Sequence, residues 1–317
     1  VIHGLPHFSR KLERLLQCDG WEVNYHACRS LADTAALVRD LSRADLVYTW
    51  GGRVSQGKFL RSANLLGVKN LVMLWSGSDI FFAQEQVAAG KMDRWISGMT
   101  HWAVSPWIAE EARTLGLPCE FVQASFVDAV SDVPPMPEKF SVLCYVPNIE
   151  KASLYGWNEI REVATALPSV DFCIVGVQKG QTLDGPSNIK VAGWATDLAP
   201  HIRATSIVWR PVRHDGLSFM VLESLAQGRH VLYTYPFNGC VHTPTADSAR
   251  REIERLHALH KSGRLSVNTA GIEAIAHEFT PAIVRANLLR RWEQIILAGR
   301  GAPGPGLGAR EARGASS

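Results

Sequence analysis

At 317 residues the chain exceeds one comfortable hydrophobic core, and two domains of ordinary size are expected. Its 46% hydrophobic and 20% charged content belongs to a soluble globular protein, and no run approaches the roughly 18 apolar residues of a spanning helix. A formal net charge of +3 is too small to argue for a nucleic-acid partner, while peripheral contact with an anionic membrane would need only a local patch.

The six cysteines, Cys18, Cys28, Cys119, Cys144, Cys173 and Cys240, are scattered, mostly beside apolar residues, with no Cys-x-x-Cys pair and no secretory signal. Reduced thiols in a cytoplasmic protein are the expectation. The chain opens on Val1-Ile2-His3, already inside a predicted strand, which implies that part of that strand is missing.

The N-terminal half alternates strands and helices. A strand at 1–3 leads through Gly4-Leu5-Pro6-His7 to a helix over 10–17 and a second strand at 21–26. Then come helix 31–41, strand 45–50, helix 54–66, strand 69–75, helices within 80–98, strand 101–105, helix 106–115 and strand 119–123. Such alternation predicts a parallel, doubly wound sheet, in which ligands bind outside the carboxyl ends of the strands.

Three loops fall at those ends: Gly4 to His7, Trp50-Gly51-Gly52-Arg53, and Ser76-Gly77-Ser78-Asp79. The first lacks the full Gly-x-Gly-x-x-Gly spacing, so a nicotinamide dinucleotide is not indicated. Ser78 or Asp79 also suits the cap of the helix that starts near Ile80. Ser105 and Pro106 fit an N-cap and first helical position, and His101 fits a core histidine.

Between Asp128 and Glu138 three prolines in four residues make a stiff connector, which places a domain boundary near 133. The second half restarts with strand 140–145, helix 155–167, strands 170–176 and 189–192, helix 195–203 and strand 206–209. A central helix, strand 230–234 and helices near 245–262, 267–278 and 281–298 complete it. Residues 299–317 have too little apolar content to order themselves and are expected to form a flexible tail.

The central helix carries the chemistry. Pro211 stops the strand that ends in Trp209, Asp215-Gly216 supplies a turn, and Ser218 stands at the N-cap. Phe219, Met220, Val221, Leu222, Leu225 and Ala226 make the helix apolar on most faces, and Gly228 closes it. Glu223 is the exception. A carboxylate there must be paired, with an arginine for example, or satisfied by a ligand's hydroxyls, because burying it bare costs several kcal/mol. With Asp215 eight residues earlier, and Arg210, Arg213 and His214 beside it, the two acids frame a helix N-terminus that favours an anion. A diphosphate with hydroxylated groups at both ends, a nucleotide sugar, fits these parts.

Asp215, seven residues and Glu223, with Arg-His-Asp-Gly-Leu-Ser before and Leu-Ala-Gln-Gly after, resembles the acid-seven-acid signature of retaining GT-B glycosyltransferases of family 4, where the first acid is normally Glu. Val-Asp-Phe-Cys-Ile-Val-Gly at 170–176 and Asn-Ile-Lys-Val-Ala-Gly-Trp at 188–194 resemble the two strands that precede it. The resemblance implies two Rossmann-like domains, 1–133 on the acceptor side and 134–280 on the donor side, with a cleft between them and a last helix, 281–298, crossing back. It also implies a retaining, metal-independent transfer of a sugar from a nucleotide donor to an unidentified hydroxylated acceptor, whether a sugar, a lipid-linked molecule or another small molecule, with no cofactor and no metal ligand set.

Residue by residue, the resemblance gives Glu223 the donor ribose and Asp215 the transferred sugar. The N–H groups of Gly216, Leu217 and Ser218, with Arg213, face the diphosphate. Lys151 is the candidate second cation, although the usual Gly-Arg and Lys-Gly are absent around it and a solvated loop lysine is the other reading. Trp194 either flanks the base or packs between the domains. Gly4, His7, Ser76 and Gly77 line the acceptor side, and Asp79 joins the catalytic set, in a segment where Ser76 replaces the family's usual His. A nucleotide-sugar epimerase and a nucleotide-sugar-binding protein without transfer remain alternative readings.

Overall fold

The structure is a computed structural model that describes residues 1–301 apart from Asp19, Cys28, Arg29 and Gln56. The expectations for Cys28 and for the tail from 302 to 317 lie outside the described residues. Elements β1 (Ile2–Gly4), α1 (Pro6–Leu16), α2 (Leu31–Leu41), β2 (Val47–Trp50), α3 (Lys58–Leu65), β3 (Leu71–Trp75), α4 (Asp79–Ala88), α5 (Arg94–Ser97), β4 (Thr100–Ala103), α6 (Pro106–Thr114) and β5 (Cys119–Phe121) form the first half. Their five strands are parallel and lie in the order β1-β2-β3-β4-β5. β2 and β3 are buried at every position because helices cover both faces.

The expected strand at 21–26 does not form. It is reduced to a parallel bridge between Ile2 and Tyr25, because side chains of α1 and of Gln17 just after it take the N–H groups a ladder would use. Gln17 Oε1 accepts from the Val23 N–H at 3.2 Å and Glu13 Oε1 from the Tyr25 N–H at 2.8 Å. That bridge still carries the chain to the outer side of β1 before it returns to β2. The strand order therefore reverses at β1 and β2, and the Gly4 and Gly51–Gly52 loops open at this switch point.

The second half consists of β6 (Ser141–Tyr145), α7 (Trp157–Ala166), β7 (Asp171–Val175), β8 (Ile189–Gly193), α8 (Ala199–Arg203), β9 (Ile207–Arg210), α9 (Phe219–Ala226), β10 (His230–Tyr233), β11 (Cys240–His242), α10 (Ala246–Lys261), α11 (Thr269–Ala274), a π-helical turn (Ile275–Phe279) and α12 (Pro281–Gly301). Its sheet is parallel in the order β11-β10-β9-β6-β7-β8, so its switch point lies between β6 and β9, where α9 begins. β11 was not expected from the sequence, and α12 continues three residues past the expected end at 298.

The segment between β5 and β6 has no regular structure, and Arg229, wholly buried, fastens it. Its guanidinium donates to the carbonyl of Pro134 at 3.1 Å and contacts the Met136 sulfur at 3.2 Å. α12 returns to the first sheet. Trp292 packs against Trp21 and Tyr48, and Arg291 donates to Glu120 at 2.7 Å. Among the described residues the cysteines are free thiols, and no helix is long and apolar enough to cross a membrane.

Candidate active site between the two sheets

α9 starts at Ser218, whose backbone is extended and whose side chain makes no capping bond. The N–H groups of Gly216, Leu217 and Ser218 have no acceptor among the described residues, so the helix N-terminus offers unpaired donors. Six of the eight α9 residues are buried in the core, which fixes the helix rigidly. Glu223 is half-buried on its second turn and makes no hydrogen bond or ion pair among the described residues. Burial pushes its pKa above the usual carboxylate range; Lys11 opposes that shift and Asp197 adds to it.

Glu223 lines a cleft of about 510 Å³ between the two sheets. His7, Lys11 and Phe126 face it from the first half, and Tyr145 and Trp194 from the second. Trp194 is 63% exposed at the end of β8, an aromatic surface without a covering group. A larger hollow, of about 700 Å³, lies beside Leu46 and Trp292 at the amino edge of β2. It is removed from the strands' carboxyl ends, where open parallel sheets bind ligands, so the smaller cleft is the better site.

Lys11 was missed in the sequence. Its ammonium lies 4.9 Å from the centre of the Phe219 ring and 5.5 Å from that of Phe126. The spacing, four residues after His7, was visible, but the expected helix begins at residue 10, and only the observed start of α1 at Pro6 puts both side chains on one face.

Asp215 does not line this cleft. Its carboxylate accepts from Arg210 Nε at 2.5 Å and from the Tyr233 hydroxyl at 3.0 Å, an ion pair with little exposure on either side. Burial works against the Arg210 charge, but Asp215 and the neighbouring phenols outweigh it and raise the pKa. The guanidinium also lies over the rings of Tyr145 and Tyr155, at 5.9 and 5.3 Å. Asp215 and Glu223 are therefore not brought together around one cavity.

The turn between β9 and α9 is docked on the first half. The Trp107 indole donates to the Asp215 carbonyl at 2.7 Å, His214 Nε2 lies 2.9 Å from Glu111 Oε2, and Phe81 stands 4.0 Å from the His214 ring. Gly216 packs so closely under the loop after β3 that a Cβ there would lie 2.0 Å from the Ser76 carbonyl oxygen. Gly77 (φ +141°) faces Gly216 from the other side, where a Cβ would lie 3.2 Å from the Gly216 nitrogen.

Asp79 organises that loop. Its carboxylate accepts the N–H groups of Gly52 at 2.6 Å, Gly77 at 2.7 Å and Ser76 at 3.0 Å, tying the ends of β2 and β3 together. Burial raises its pKa against these bonds. Arg213 is mostly exposed and turns to Glu159 at 3.5 Å, and Lys151 is exposed; neither lines the cleft. Gly4 ends β1 opposite Trp50. Beside it the His3 ring stacks on Phe59 at 3.7 Å, and burial, with Arg53 nearby, brings its pKa down to about 4, so it is neutral at physiological pH.

No protein-family model matches the sequence, and no curated protein does. Solved structures do match. A glycosyltransferase from Rickettsia africae is 11% identical with a TM-score of 0.64, the match covering 93% of this chain and 98% of that one. Anabaena HepE in complex with UDP is 12% identical, with a TM-score of 0.61 over 83% and 82%. The pneumococcal O-GlcNAc transferase GtfA, solved with UDP and GlcNAc, is 12% identical with a TM-score of 0.54 over 84% of this chain; the chain spans 60% of its length. Together with the two parallel-sheet domains, these likenesses define the fold as GT-B.

Proposed function

We propose that the protein is a glycosyltransferase that takes a sugar from a nucleoside diphosphate donor seated in the cleft against α9. The observation that carries this reading is Glu223, a half-buried carboxylate without a protein partner among the described residues, on the wall of an open cleft. In this reading its oxygens accept the two ribose hydroxyls, Trp194 flanks the base, and the unpaired N–H groups at the head of α9 meet the diphosphate. That UDP is bound in several structures of similar fold supports a nucleotide ligand.

In the reaction proposed, the bond from the anomeric carbon to the phosphate oxygen breaks as the acceptor oxygen bonds to the same face of the sugar. The acceptor's proton passes to the departing phosphate, and the configuration is retained. Fixed donors aimed at the charge gathering on that phosphate lower the barrier. The sequence has no Asp-x-Asp pair, so we assign this work to protein groups and expect turnover to survive EDTA. Asp215 holds Arg210 charged and the turn in shape, and the acceptor is assigned to the loop ends at Gly4, Ser76 and Gly77, while His7, on α1, faces the donor cleft. Incubation with UDP-, GDP- and ADP-sugars tests the reading. Free nucleotide with a sugar adduct supports transfer, sugar interconversion means an epimerase, and binding without turnover means a nucleotide-sugar-binding protein, which the locked Asp215 would suit.

A further inference from the structure

Lys11 stands where a diphosphate must pass if Glu223 holds the ribose. On α9, Phe219 is the first helical residue and Glu223 lies four further on, about 6 Å along the axis. Residues 216–219 lie beyond the lining of the cleft, so phosphates running from a ribose at Glu223 toward the unpaired N–H groups at the head of α9 would leave the cleft past the Phe219 side chain. The Lys11 ammonium sits above that ring. Phe8, three residues earlier on the same face of α1, stacks on Phe219 at 5.4 Å and on Trp50 at 5.1 Å, so the position of α1 over α9 is set by packed rings.

The other cations near the turn are paired elsewhere or lie off the cleft. Arg210 is tied to Asp215, Arg213 faces Glu159, and Lys151 does not line the cleft. Lys11 makes no ion pair within 4 Å among the described residues, and its influence falls on Glu223 across the cleft.

We propose that Lys11 is the residue that binds the donor's diphosphate, a cation supplied by the N-terminal domain to a nucleotide otherwise held by the C-terminal one. The inference rests on the donor-site reading above. In the ligand-free protein the ammonium offsets part of the Glu223 charge; with nucleotide bound, the ribose occupies Glu223 and the ammonium takes the phosphates. A single diphosphate then bridges both domains.

The test is calorimetric titration of wild type, Lys11→Met and Lys11→Arg with UDP, GDP and ADP and with the corresponding nucleosides, at two salt concentrations. Met keeps the apolar stem over Phe219 and removes the charge. The expected result is a loss of roughly tenfold in affinity for the diphosphate that binds wild type, with the nucleoside affinity unchanged, a weaker salt dependence, and recovery in Lys11→Arg. Equal diphosphate affinity in wild type and Lys11→Met overturns the assignment, as does an equal loss for nucleoside and diphosphate, which would place Lys11 behind Glu223 as a positioning residue. A wild type that binds none of the three diphosphates overturns the donor site itself, and Lys11 with it.

Discussion

Replacing Glu223 by Gln should make the ligand-free protein more stable and its nucleotide complex weaker. Burial raises the folded-state pKa of Glu223 above its unfolded value, and Lys11 only partly offsets this. Such a group contributes stability below its unfolded pKa and loses it as pH rises through the folded one, so its charge destabilises the protein at neutral pH. A buried unsatisfied polar group costs about 1–3 kcal/mol and a charged one more, and at partial exposure that extra cost of the charge is about 1 kcal/mol. Gln has the same shape and no charge to bury. For a chain of this size the gain corresponds to a Tm rise of about 2 °C at neutral pH, shrinking as the pH falls and Glu223 in wild type takes up its proton. The same change removes charge-assisted bonds to the ribose and should weaken nucleotide binding by roughly tenfold to a hundredfold. Thermal melts from pH 5 to 8, paired with titration of the nucleotide, read both effects. A Gln variant that melts lower than wild type and binds as tightly would refute the reasoning and make Glu223 a structural acid.

Asp215→Asn should lower stability by about 3 kcal/mol in urea titrations, because it leaves the buried Arg210 charge without its carboxylate; an unchanged midpoint would contradict that pairing. Trp194→Ala should leave folding stability within about 0.5 kcal/mol, since the side chain is 63% exposed, and weaken nucleotide binding by about 1–3 kcal/mol if it stacks on the base. Gly216→Ala should push apart the turn before α9 and the loop after β3, where the added carbon would meet the Ser76 carbonyl. The expected result is a larger radius of gyration in solution scattering and reduced turnover; an unchanged scattering profile with full activity would contradict the contact.

The parallel sheets were legible because their central strands are unbroken apolar runs, such as Leu71 to Trp75, bounded by glycine, serine and proline. The segment 21–26 alternates apolar Trp21, Val23 and Tyr25 with polar residues as a half-buried strand would, and nothing in its own residues announces that Glu13 of the preceding helix and Gln17 at its end will take its N–H groups. β11 is three residues long, too short to show a period. At the site, Glu223 was legible as the only acid in an apolar helix, and the structure leaves it without a protein partner among the described residues. Asp215 was legible as half of a spacing, but its ion pair depends on where β9 and β10 place Arg210 and Tyr233, which the spacing does not encode. The contacts that dock the turn join residues over a hundred positions apart, as in Trp107 with Asp215 and Glu111 with His214, and no local pattern carries them. Lys11 is the same case, an ordinary surface lysine until α1 is laid over α9.

The central claim, that the cleft beside Glu223 receives a nucleoside diphosphate, is tested most directly by a thermal-shift panel of UDP, GDP and ADP against the wild-type protein. A nucleotide at 100 times its Kd adds about 2.7 kcal/mol of stability, roughly 5 °C in Tm for a chain of this size. The account predicts that at least one member of the panel raises Tm by that amount, and that Glu223→Gln loses about half of the shift or more at the same concentration. A flat response across the panel, or a shift that Glu223→Gln retains in full, would contradict it.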